Sequence, residues 1–185
     1  MKRVLDQLTQ FLVQRSHQKY PRISVAGATL FGSTLELIVI PTAFVVIGKT
    51  IDSKLGLGPL LPEFLVPYMS ALCFLMGIPW LAWAIYWQHR FGKGTPLPLV
   101  PTKIFLETGP YRYMRNPMNF GAIFWLAGWA VLANSRTAFW GGTGVFMILV
   151  ISYIKLVEEK ELEERFGIRY RKYKKRTPFL IPRFK

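Results

Sequence analysis

Cysteine is all but absent from this 185-residue chain: Cys73 stands alone, which excludes an intramolecular disulfide. Histidine is nearly as scarce, and His17 and His89 make no metal-ligand cluster with it or with each other, so no metal is expected. Acidic residues are few, 10 against 24 Lys and Arg, for a net charge of +14. Charge is missing altogether from several long stretches, although 51% of the residues are hydrophobic. That apolar content excludes a disordered chain. The separation of charge from apolar blocks excludes an ordinary soluble domain, which mixes the two along its length.

What is present are runs long enough to cross a bilayer. Phe64 to Gln88 contains no charged residue over 25 positions, and at about 1.5 Å per helical residue it spans the roughly 30 Å hydrocarbon slab with room for tilt. Ala26 to Gly48 is a second run, broken only by Glu36. Met118 to Asn134 and Thr137 to Ile154 are near-minimal runs separated by Ser135 and Arg136, a break that predicts a tight helical hairpin. The expected fold is therefore all-α, a polytopic membrane protein of about four transmembrane helices, with residues 1–185 forming a single domain.

The basic residues are distributed unevenly between the segments that join these runs. Five precede Ala26, five lie between Gln88 and Met118 and eleven follow from Lys155, against two in the first loop and one at Arg136. Under the positive-inside rule both termini and the central loop are cytoplasmic, the same answer that four spans require. A basic face against anionic head groups accounts for much of the charge, so membrane lipids rather than nucleic acid are the expected partners. Residues 1–25 are basic without a continuous apolar core, which argues against a cleaved signal peptide. Val4, Leu5, Leu8, Phe11 and Leu12 recur at helical spacing there and predict an interfacial helix.

Candidate chemistry gathers on the cytoplasmic side. The central loop, Gly92 to Gly121, carries Pro96, Pro98, Pro101, Pro110 and Pro117, cannot form one helix, and reads as a stiff pocket wall. In the tail, residues 155–185, five glutamates follow the last span, Phe166-Gly167 interrupts the helix, and a basic run closes the chain. Glu161, Glu163 and Glu164 suit a solvated helix with i to i+4 pairing such as Glu161 with Arg165. Glu158 and Glu159 sit where the helix leaves the membrane, in position to receive a cation or an amino group. Glu36, a carboxylate within a span, is either functional or neutral in a helix contact. Pro41, Pro67 and Pro79 can kink their spans and open polar backbone toward a cavity.

GPYRYMRNPMNFG (Gly109 to Gly121), followed after two spans by Glu158-Glu159, Phe166-Gly167, Tyr170, Tyr173, Pro178 and Pro182, resembles the membrane methyltransferase family that includes isoprenylcysteine carboxyl methyltransferases and phospholipid N-methyltransferases. The resemblance runs from about Gly92 to Pro182. It implies methyl transfer from S-adenosylmethionine, with S-adenosylhomocysteine as product, to a lipidic or prenylated acceptor, and a cytoplasmic cofactor cap built from loop and tail. By position in the motifs, the implied cofactor contacts are Lys103, Ile104, Phe105, Leu106, Tyr111, Asn116, Pro117, Met118, Asn119 and Glu158. Asn119 stands where the family usually has tyrosine. No strand followed by a glycine-rich turn is present to mark a Rossmann domain.

The chemistry of these residues is compatible with that implication. A carboxylate at Glu158 can hold the ammonium of the donor, and aromatic faces can contact its adenine or sulfonium. An acceptor carboxylate needs only a cation to orient it, for which Arg115 or Arg112 is placed, whereas an amine needs a base, for which Glu159 or Glu36 is available. Arg112 and Arg115 equally suit phosphate contacts at the membrane surface. Trp125 and Trp129 share a helical face and either line a lateral opening for the acceptor or pack. Carboxyl O-methylation of an isoprenylcysteine-like acceptor is the expected activity. A phospholipid N-methyltransferase, an NADPH-dependent membrane reductase and a non-enzymatic helical scaffold are the alternatives. A small face of Gly141, Gly142 and Gly144 leaves monomer and dimer both open.

Overall fold

The apolar blocks form helices over the residues described. The computed structural model describes residues 2–16, 27, 30–92 and 104–184, and all regular structure among them is helical. The elements are α1 (Lys2–Ser16), α2 (Leu30–Leu55), α3 (Glu63–Gly92), α4 (Pro117–Leu132) and α5 (Thr137–Arg176). Ala26, where the first span was expected to begin, and His17 lie outside the described residues. α2, α3 and α5 are each long and apolar enough to cross a membrane, which makes this an integral membrane protein. α4, expected as a span, has 16 residues and reaches about 24 Å, short of the slab it shares with the other three.

The hairpin between α4 and α5 is as tight as the two-residue break predicts, and side chains fix it. Asn134, in the left-handed region at φ 51°, accepts from Leu61 N and donates to Leu61 O at 2.8 and 3.0 Å. Buried Asp52 accepts hydrogen bonds from the Ser135 hydroxyl (2.5 Å) and from the Thr137 N–H and hydroxyl (3.0 and 2.6 Å). It thereby caps the free amides at the start of α5 and joins α2 to the hairpin.

α3 and α4 make the most extensive helix contact in the bundle. They approach so closely that a Cβ on Gly121 would lie 2.7 Å from Leu81 N and 2.9 Å from Gly77 O. Trp125 and Trp129 both pack on Phe74 of α3, at ring separations of 5.3 and 5.9 Å, and the Trp125 indole donates to Leu37 O of α2 at 3.2 Å. The pair thus ties three helices together. α1 lies on the polar part of α5, with Thr9 buried, Asp6 beside Lys160 at 3.5 Å and Gln10 donating to Glu164 at 3.1 Å. Its Val4, Leu8 and Phe11 stay exposed on the other face, the arrangement of a helix that rests in an interface.

α5 carries the decisive local feature. Its apolar part, 137–154, is the membrane segment, and the helix continues past it as the sequence predicts. At Gly167 (φ 52°, ψ −127°) the backbone leaves helical geometry. Lys174 then contacts Glu159 at 2.6 Å and Glu163 at 3.0 Å. In a straight helix Lys174 and Glu159 would be separated by about 22 Å, so the chain folds back on itself at Gly167. A Cβ there meets no atom within 4 Å, so the conformation alone demands glycine. Gly167→Ala is expected to cost about 1–3 kcal/mol in strain and to loosen the returning leg. The check is a lower unfolding midpoint in detergent; an unchanged midpoint would mean the turn tolerates a side chain.

Candidate active site

The returning leg brings the tail onto the loop. Tyr170 and Tyr173, one turn apart, are buried against Phe105 together with Tyr111, Leu162 and Phe166. The Tyr173 hydroxyl donates to Tyr111 O at 2.6 Å. Beyond α5 the chain runs alongside the motif: Arg115 N donates to Pro178 O (2.9 Å), Asn116 Nδ2 to Phe179 O (2.9 Å) and Arg183 N to Tyr113 O (3.1 Å). These bonds, two from backbone amides and one from a side-chain amide, fasten the tail along the motif.

Between these segments lies a cavity of about 80 Å³. Phe105 and Leu106 line it from the loop, Tyr111, Arg115 and Asn116 from the first motif, and Gln88 from the end of α3. α5 contributes Ile154, Glu158 and Leu162, and its returning leg contributes Tyr170 and Tyr173. Glu158 is aimed there by a widened turn at Ile154–Glu158, in which Glu159 N–H reaches back five residues to Ile154 O, a local irregularity that recurs at functional positions.

The polar groups facing this cavity are incompletely matched. Among the described residues the Glu158 carboxylate has no ion pair, and Gln88 Oε1 and Arg115 Nε are buried without a hydrogen-bond partner. Burial first, then the negative charges of Glu161 and Glu159, push the Glu158 carboxyl up to about 7. Burial likewise raises the Tyr111, Tyr170 and Tyr173 phenols, with Glu158 adding to the effect at Tyr111 and Glu159 at Tyr170, so all three stay neutral hydroxyls. Arg115 pairs with Glu159, whose other oxygen accepts from Lys174 at 2.6 Å. The Arg115 guanidinium and Lys155 Nζ each lie 5.3 Å from the Phe179 ring. Arg115 is thus held in place on the cavity wall by Glu159 and Phe179.

A buried carboxyl group that ionises near neutral pH, an unmatched acceptor and an unmatched donor in a small aromatic enclosure suit a zwitterionic, cationic ligand. The volume, well below the roughly 300–1,000 Å³ of whole-ligand pockets, admits the polar end of such a molecule.

Of the residues implied as cofactor contacts, Phe105, Leu106, Tyr111, Asn116 and Glu158 are brought together here. Ile104 is exposed and lies off the cavity, and Lys103 lies outside the described residues. Pro117 is buried as the first residue of α4, and neither it nor Met118 or Asn119 lines the cavity. Glu159 stands behind Arg115, while Arg112 faces a different cavity. Glu36, in α2, lines neither. Glu161, expected on a solvated face, is buried and paired with Arg165 at 2.5 Å, whereas Glu163 and Glu164 take surface partners. Gln88, Ile154, Leu162, Tyr170 and Tyr173 were not foreseen as site residues. The spaced tyrosines of the tail motif were the one available signal.

The fold and the site together define an integral helical membrane protein whose loop and returning tail close over a polar cavity. The profile of the family described as phospholipid methyltransferase matches residues 66–169, which span α3, the loop, α4 and most of α5. The chain belongs to that family. It is also 31% identical over 97 residues to methanethiol S-methyltransferase 1 of Bradyrhizobium diazoefficiens. That match covers 51% of this chain and 30% of the relative, so the chain spans less than a third of that protein's length.

Proposed function

We propose that this enzyme transfers the methyl group of S-adenosylmethionine to a lipidic acceptor carrying a carboxylate of the isoprenylcysteine type, at the cytoplasmic face, with both termini on that side. The observation that carries the reading is the unpaired Glu158 carboxylate in a cavity with two unsatisfied polar atoms, where the two motifs meet. When bound, the donor supplies an electrophilic methyl on a sulfonium. Glu158 holds its ammonium, the Gln88 oxygen accepts a further N–H, and the neutral faces of Tyr111, Tyr170 and Tyr173 exclude water around the positive sulfur. Leu106 and Asn116 complete the enclosure.

Arg115 orients the acceptor's negative group, and Glu159 acts as a positioning residue for Arg115 because both of its oxygens are already engaged. An anionic nucleophile needs no base, so alignment supplies most of the acceleration. A thiol acceptor is the second reading, favoured by the name of the Bradyrhizobium relative. N-methylation of a phospholipid amine requires a base that Glu159, committed to two cations, is poorly placed to be.

The test has two stages. S-adenosylmethionine or S-adenosylhomocysteine is expected to raise the unfolding midpoint in detergent, and NADPH is not; stabilisation by NADPH alone would replace the proposal with a reductase. Membrane lipids incubated with methyl-labelled donor should then carry label that mild alkali releases as methanol, the behaviour of a methyl ester. Alkali-stable label would assign the acceptor atom to nitrogen or sulfur.

A further inference from the structure

A second cavity, of about 290 Å³, opens on the other side of the first motif. One short segment faces both spaces: Tyr111, Arg115 and Asn116 line the first, Arg112 and Tyr113 the second. Arg176 and Arg183 of the tail complete three arginines around it, with Glu107 as the one carboxylate in its wall. Glu107 is fully engaged, its oxygens bound by Arg169 at 2.7 Å and by Arg176. Arg183 Nη2 donates to Arg176 O at 3.0 Å, which fixes its guanidinium beside the cavity. Arg112 and Arg183 therefore face this space with no carboxylate partner among the described residues.

We propose that this cavity binds the phosphate of an anionic lipid head group, at a site separate from the methyl-donor cavity. Two unneutralised guanidinium groups match the charge of a phosphate monoester, and their planar forks suit its oxygens. The source is a lipid because of what borders the arginines. The Tyr113 ring, in the cavity wall, stacks in a cluster with Phe184 (5.3 Å), Trp83 (5.9 Å) and Trp80 (6.1 Å). Phe184 is 71% exposed and Trp83, five residues before the charge-free run of α3 ends at Gln88, 37%. Arginines beside exposed aromatics at a helix end form the boundary between head groups and acyl chains. A phosphate here joins Arg112 of the loop to Arg176 and Arg183 of the tail, and so ties together the segments that zip along Tyr113 to Asn116.

The full chain in nanodiscs of phosphatidylcholine with increasing phosphatidic acid, at constant ionic strength, tests this through the unfolding midpoint and the intrinsic tryptophan fluorescence, to which Trp80 and Trp83 contribute two of the six indoles. A saturable rise in midpoint with phosphatidic acid is expected. Arg112→Gln, at an exposed residue whose loss leaves the fold intact, should raise the half-saturating lipid fraction about tenfold. Arg112→Gln with Arg183→Gln should remove saturation, while Lys175→Gln, outside the cavity, should not. If the double variant fails to fold, Arg112→Glu serves in its place and should repel the lipid. An equal midpoint with and without phosphatidic acid, or full saturation in the Arg112 variants, would overturn the site. A detergent-solubilised response to inorganic phosphate at millimolar levels with no response to the lipid would transfer it to free phosphate.

Discussion

Glu158→Gln is expected to weaken S-adenosylmethionine binding by at least about 30-fold, the loss of roughly 2 kcal/mol for a charge-assisted hydrogen bond in an enclosed site. The variant is isosteric, so the fold should persist, and its stability should change in the opposite sense. The Glu158 carboxyl titrates near 7 in the folded protein against an ordinary value of 4.5. A raised value means that the native state holds the proton more tightly than the unfolded chain. Its contribution to stability is present in full below about 4.5 and is lost as pH rises through about 7. Glutamine cannot ionise, so at pH 8 the ligand-free variant should unfold at a higher temperature than the parent and lose that part of the pH dependence. Donor affinity in the parent should rise with pH, roughly tenfold per unit below 7, because only the ionised carboxylate pairs with an ammonium. Calorimetric titration across pH 5.5 to 8.5 measures both. A pH-independent affinity, or tight binding by Glu158→Gln, would remove Glu158 from the donor site.

The second large effect is expected at Arg115. Its side chain and that of Glu159 are 12% and 10% exposed, and removing one member of a buried pair leaves the other charge without its partner. Arg115→Ala is expected to cost about 3 kcal/mol in stability, at the low end for such losses because Lys174 still neutralises part of Glu159. Methyl transfer should fall by more than the folded fraction does, by about 100-fold in kcat/KM, if Arg115 orients the acceptor. Arg115→Lys separates the two effects. It restores a positive charge for Glu159 but cannot bond two groups through a planar fork, so stability should largely return while turnover stays low. Recovery of both together would make Arg115 a structural residue only.

These two residues also mark how far the sequence could be read. Glu158 and Arg115 each stand in a short motif, and the resemblance to the family nominated them, with the chemistry of the residue types compatible. Nothing in the spacing distinguishes Glu158 from Glu159, adjacent carboxylates on one helix. The wide turn at Ile154–Glu158 separates them, turning the first to the cavity and the second to Arg115 and Lys174. Glu161 misled for a related reason. Its i to i+4 partner Arg165 was visible, but the pair is buried because the returning leg and α1 cover the helix that would otherwise be solvated. Arg112 and Arg115 lay three apart in one motif and looked interchangeable, yet the segment between them forms a wall with one on each side.

By itself the sequence determined that this is a helical membrane protein, where its apolar segments fall, that the helix breaks at Phe166-Gly167, and which two polar stretches flank those segments as candidates for the site. These follow from local properties: the length of charge-free runs against bilayer thickness, the backbone freedom of glycine and the rigidity of proline. Tertiary structure alone decided that the tail turns back at Gly167 onto Glu159 and Glu163, and that tyrosines from the returning leg close the cavity. It also divided the basic residues between two separate cavities. Those outcomes bring residues as far apart as Gln88 and Tyr173 to one cavity, and no local pattern encodes which partner a side chain will meet.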